Sequence, residues 1–117
     1  MLKKQSRLNK NKDFAQVFQR GERLYGRYFT LRWLRNNLSY SRFGIIVSLK
    51  VDKKAVIRNK IKRRIRAIFK DNLDKLVINC DFLISTRKEI KDLSFQELKE
   101  EIQISFQKRR LIKTHNG

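Results

Sequence analysis

Residues 55–69, AVIRNKIKRRIRAIF, limit what this chain can fold into more than any other stretch. On a helical wheel Ile57, Ile61, Ile65 and Ile68 share one side. Asn59, Arg63, Arg66 and Lys70 share the other, and Lys60 and Lys62 flank them. Arg58 and Arg64 sit at the edges of the apolar stripe, where long stems cover hydrophobic surface and carry their charge into water. Four isoleucines require a sheet or helix to pack against. Six Lys and Arg between positions 58 and 66, with no acid among them, require something else. A merely solvated helix face mixes Glu with Lys at i,i+4 and gains stability from it. This face accepts like-charge repulsion instead, so a polyanion is the expected partner.

The rest of the chain gives that helix its surroundings. With 117 residues, 40% of them apolar, the chain is expected to form a single domain over 1–117. Thirty Lys and Arg against eleven Asp and Glu leave a net charge of +19. Nucleic acid is the usual reason for such an excess, an anionic membrane surface the next. No apolar run approaches a membrane span, and the basic start MLKKQSRLNKNK has no apolar segment behind it to make a signal peptide. Cys80 is the single cysteine; beside Ile78 and Phe82 it reads as a buried structural thiol in a reducing cytosol.

In chain order, residues 1–11 read as a flexible basic arm. A short helix follows, DFAQVFQR, with Gly21 as its expected C′ residue. Phe14, Val17 and Phe18 share one face of it, either as core or, for the two phenylalanines, partly exposed. Residues 24–34 alternate like a single strand, with Phe29, Leu31 and Trp33 on one face and Tyr28, Thr30 and Arg32 on the other. Asn36 and Asn37 mark a turn. Residues 40–48 form another strand, whose apolar run suggests a place inside the sheet. A basic loop over 49–54 leads into the long helix, which is expected to end near Asn72. Residues 81–86 are a short apolar strand. Ser94 with Glu97 makes a capping box for the last helix, and Leu93 and Leu98 a hydrophobic staple. Phe95, Leu98, Ile102 and Phe106 are its expected buried stripe, and residues 107–117 a basic tail. The order is an α+β sandwich with a mostly antiparallel sheet.

Convergent catalytic chemistry is missing from the sequence. The one histidine, His115, lies in the tail, the acids show no cage-like spacing, and the four glycines are isolated. The polypeptide alone is therefore expected to catalyse nothing and to hold no metal.

The segment RFGIIVSLKVDKKAVIRNKIKRRIRAIF resembles the signature of the protein subunit of bacterial ribonuclease P. In that family a Ser-Lys-Lys loop precedes an Ala-Val-x-Arg-Asn-Arg helix. KDFAQVFQRGERL is similar to its first helix, and DFLISTRKEIKDLSFQELKEEI to its last strand, loop and helix. Two departures stand out. The Arg-Asn-Arg triplet is Arg58-Asn59-Lys60 here, which keeps the charge and loses the planar fork. The loop SLKVDKK lacks the family's glycine and is a residue longer.

The resemblance implies an αβββαβα two-layer sandwich like the second domain of ribosomal protein S5, with a left-handed βαβ crossover. It implies a cytoplasmic ribonucleoprotein, an endonuclease that hydrolyses the 5′ leader from precursor tRNA. The catalyst there is a large RNA that requires Mg²⁺, with no protein partner and no membrane. By position, Arg58, Asn59, Lys60, Lys62, Arg63 and Arg66 are the expected contacts to that RNA. Phe14, Phe18, Arg32, Ser48 and Lys50 are the expected cleft for the single-stranded leader, whose bases stack on aromatic faces. A general RNA-binding or ribosomal protein is the nearest alternative, and a membrane-surface or partner-helix module a more distant one.

Overall fold

The computed structural model describes residues 4–113; Met1 to Lys3 of the expected arm, and His115 in the tail, lie outside them. The elements are α1 (Asn11–Arg20), β1 (Glu22–Tyr25), β2 (Phe29–Arg35), β3 (Arg42–Ile46), α2 (Ala55–Asn72), β4 (Cys80–Thr86) and α3 (Phe95–Lys108), the αβββαβα order expected. The strands form one sheet in the order β1-β2-β4-β3. β1 and β2 are antiparallel, as are β2 and β4; β3 runs parallel to β4, and α2 joins those two.

Alternation along the strands explains the layers. Phe29, Leu31 and Trp33 of β2, Phe43 of β3, and Phe82 and Ile84 of β4 face one side, where α2 and α3 cover them. Ile61, Ile65, Ile68 and Phe69 of α2 meet Leu98, Ile102 and Phe106 of α3 there. Four phenylalanines from four elements tie this core together. Phe43 stacks on Phe69 at 4.2 Å between centroids and on Phe82 at 5.2 Å, while Phe106 meets Phe82 edge-on at 5.5 Å. Cys80 is fully buried beneath the same layer, as its apolar neighbours foretold.

The second sheet face carries α1. Val17 packs with Leu8 and Leu83, and Phe14, Leu34 and Ile46 lean on that small cluster. Polar groups fix the helix as well. Arg42 donates to both carboxylate oxygens of Asp81, at 2.8 and 2.6 Å, and reaches Asp13 of α1 at 3.4 Å. Those charges hold the arginine's proton more firmly than usual, the Asp81 hydrogen bond first.

Several expectations are corrected. The alternating stretch 24–34 is a hairpin rather than one strand. Gly26 donates to Phe29 O at 3.0 Å, and a Cβ there would lie 2.9 Å from the same oxygen. β3 is an edge strand. Its apolar run reflects burial on both faces, and its free edge is met by the chain start: Arg7 bridges Phe43, and Leu8 N–H donates to Phe43 O at 2.8 Å. Within the expected arm, Ser6 and Leu8 are buried, while Lys4 and Gln5 are exposed. Gly21 ends α1 with extended backbone, not the left-handed turn of a C′ glycine. Glycine is needed there because a Cβ would stand 2.5 Å from Val17 O and 2.9 Å from Trp33 O. Phe95 is exposed rather than core, although the capping box beside it forms from both ends. In the tail, Leu111 and Ile112 are buried, and Ile112 bridges Leu76.

Candidate nucleic-acid interface

α2 presents its charge as the wheel predicts. Asn59, Lys60 and Arg63 are exposed; Arg58, Lys62, Arg64 and Arg66 are half-buried along their stems. Ile65, Ile68 and Phe69 on the reverse side are sealed into the core, and Ile57 is only half-buried. Three ion pairs are formed among the described residues, Arg42 with Asp13, Arg42 with Asp81, and Lys91 with Asp52. None uses a cation of α2. The helix therefore holds out a row of charge that no carboxylate among the described residues neutralises.

Arg58 also has a structural role. Its Nη1 donates to Asp52 O at 2.9 Å and to Lys53 O at 2.8 Å. The loop that carries Lys50, Lys53 and Lys54 is folded against the helix start by this residue. Asp52 completes the arrangement: one carboxylate oxygen accepts from Lys54 N–H at 2.8 Å, the other from Lys91 Nζ at 3.3 Å. Val51 anchors the loop in the core. The Lys54 amide, with Lys91 behind it, holds the Asp52 carboxyl below its ordinary range.

Arg7 belongs with this surface, and its sequence neighbourhood gave no sign of it beyond a basic composition. Its backbone bridge to β3 fixes it, and its Nε is buried without a partner. Arg66 of α2 lies close enough to feel its charge. Burial first, and Arg7 second, lower the proton affinity of Arg66. An anion at this junction would offset the repulsion between the two half-buried arginines.

The second surface lies where α1 crosses the other sheet face. Phe14 rests on β3 at Gly44, where a Cβ would come within 2.5 Å of its ring. Phe18 is 41% exposed, and the Arg32 guanidinium sits 4.4 Å over its ring. Arg32 also donates to Ser85 Oγ at 3.3 Å, while its Nε is buried without a partner. Phe14 forms floor, whereas Phe18 and Arg32 form an accessible stacked pair. Ser48 and Lys50 are exposed on the connection from β3 to α2, and no hydrogen bond or ion pair among the described residues joins them to that pair.

Acid–base and metal chemistry find little to work with here. Among the described residues no three His, Cys, Asp or Glu side chains converge to hold a metal ion. Burial pushes the Cys80 thiol up to about 11, so it is not a nucleophile at neutral pH. No helix of the described residues is long and apolar enough to cross a membrane.

The family described as Ribonuclease P matches residues 2–110. The chain belongs to that family. A ribonuclease P protein component from Bacillus velezensis is 41% identical over 113 residues, 96% of either chain. One from Pseudanabaena is 39% identical over 103 residues, 87% of this chain and 89% of that one. The solved ribonuclease P protein of Staphylococcus aureus superposes with a TM-score of 0.85 at 28% identity, covering 92% of this chain and 98% of that one. The likeness spans both surfaces of this ribonuclease P family member, α1 with its sheet face and α2 with its cations. Lys60 lies on the side of α2 that borders α3, and the 49–54 loop is the one Asp52 and Arg58 hold.

Proposed function

We propose that this chain is the RNA-binding protein subunit of the ribonucleoprotein that removes the 5′ leader from precursor tRNA. The unneutralised cation row of α2 carries the proposal: it asks for a polyanion, and family membership makes the ribonuclease P RNA the fitting one. Asn59, Lys60, Lys62, Arg63 and Arg66 contact that RNA. Arg58 acts one step back, by shaping the loop that presents Lys50.

The leader lies across the sheet face beside α1. Phe18 and Arg32 offer a flat, sequence-tolerant stacking surface at its open side, with Phe14 as floor. The Arg32 guanidinium brings a positive charge to that surface for a leader phosphate. In this reading the polypeptide alone is inactive and the RNA is the catalyst. Mg²⁺ enters with the RNA in this reading. The protein's contribution is charge and position: it neutralises phosphates and holds substrate, and needs no further protein partner. A single buried thiol accords with a reducing compartment, the cytoplasm.

Reconstitution tests this. The purified chain added to ribonuclease P RNA should restore 5′ cleavage of precursor tRNA at low Mg²⁺. The complex should bind precursor tRNA more tightly than mature tRNA. Equal affinity for the two would remove the leader from the function. Capture of ribosomal RNA as the dominant partner would point to a general RNA-binding role.

A further inference from the structure

α2 and α3 do not close against each other along their whole length. Between the first half of α2, the turn Lys88–Asp92 and the start of α3 lies a groove of about 290 Å³. Its floor is aliphatic: Ile57, Ile61, Ile90 and Leu98. Its rim is cationic: Lys60, Arg64 and Lys91. Lys91 is tethered there by Asp52, while Lys60 and Arg64 have no carboxylate partner among the described residues.

The two halves of this lining ask for two things of one ligand. A free phosphate gains nothing from four aliphatic side chains. An apolar ligand gains nothing from three ammonium and guanidinium groups held over it. A group with a flat apolar body and an attached anion satisfies both. The volume lies at the lower end of small-molecule sites, enough for one nucleotide and too small for a base pair. RNA in contact with proteins commonly splays single bases out of the stack.

We propose that this groove receives one unstacked nucleotide of the partner RNA, with its base on Ile57, Ile61 and Leu98 and its phosphate among Lys60, Arg64 and Lys91. This rests on the reading of the chain as an RNA subunit. It also gives position 60 a role of its own. A lysine at the rim swings on a flexible stem to follow a phosphate beside an inserted base, which a planar fork fixed on the backbone of a duplex does not do. Arg64, on the edge of the apolar stripe, covers the floor with its stem and meets the anion with its head.

Full-length protein labelled at isoleucine methyl groups tests the inference by NMR titration with AMP, with adenosine and with inorganic phosphate at matched ionic strength. AMP should move the methyl signals of Ile57, Ile61 and Ile90, and phosphate should not. The double variant Lys60→Ala/Arg64→Ala should weaken the AMP response about tenfold or more, near 1.4 kcal/mol. Phosphate moving those methyls as far as AMP would reduce the groove to an anion site and overturn the proposal. So would AMP moving none of them, or an acidic leucine-bearing peptide moving them in its place. In the complex, ribonuclease P RNA carrying 4-thiouridine should cross-link to groove residues. RNA bound at full strength without such a cross-link would sink the nucleotide pocket alone. No RNA binding at all would sink the subunit reading beneath it.

Discussion

Arg58 and Arg63 stand five positions apart on one helix and do different work. Arg63 is exposed and has no carboxylate partner among the described residues, so its charge is available to phosphate. Arg58 commits its Nη1 to the carbonyls of Asp52 and Lys53. Arg63→Ala should leave the urea midpoint unchanged, weaken RNA binding, and lower the slope of log affinity against log salt by roughly 0.7–0.9 for the one phosphate lost. Arg58→Ala should instead cost about 1–2 kcal/mol of stability, because a charged donor to two carbonyls is lost. Equal destabilisation by the two changes would mean that the helix faces are misassigned. Asp52 adds a pH dependence. Its folded carboxyl is held low, so its contribution to stability is present above the unfolded value of about 3.9 and is lost as pH falls through the folded one. Asp52→Asn should flatten the acid limb of the stability–pH curve. It should also weaken the acceptor of the Lys54 amide, seen as faster exchange of that amide.

Among the elements, α2 and α3 were the most legible, because long periodic helices with charge or capping signals leave few alternatives. α2 ends where its pattern fades, and the Ser94–Glu97 box forms as read. What periodicity could not show was pairing. Residues 28–34 alternate as read, but the turn reverses the parity: Leu24 faces Leu31, and Tyr25 faces Thr30. The apolar run of β3 is the mark of two covered faces, and edge or centre is decided by which strands pair, which sequence does not state. Nor did the sequence separate the two phenylalanines of α1. Phe14 lies against Gly44 and the Leu8, Val17 and Leu83 cluster, while Phe18 lies in the open under Arg32. Phe18→Ala should therefore reduce the preference for leader-bearing tRNA with little change in thermal stability. Phe14→Ala should lower both. Ile65→Ala, at a fully buried site, should cost about 2–5 kcal/mol and leave RNA affinity per folded molecule intact. Urea titrations beside tRNA binding assays sort the three variants.

Taken whole, the molecule is a folded domain that opposes itself electrostatically. A charge of +19 favours expansion, and only three ion pairs among the described residues offset it. One point of repulsion lies where the chain start comes near α2, at Arg7 and Arg66. Both are partly desolvated there, and the Nε of Arg7 is unpartnered. Such a pair lowers the stability of the free protein and raises that of any state in which a phosphate lies between the two. Anions that bind the folded form more tightly than the dispersed charges of the unfolded one stabilise it by mass action. Sulfate should accordingly raise the melting temperature more than chloride does at equal ionic strength. Arg66→Gln keeps most of the stem and removes the charge. It should raise the melting temperature at low salt, lose that advantage as sulfate is added, and bind the RNA more weakly throughout. A variant that melts lower than the parent in low salt would show that Arg66 stabilises the free fold after all. The opposite outcome would mean that stability has been traded for RNA binding at this junction, and that the RNA completes a surface the protein alone leaves strained.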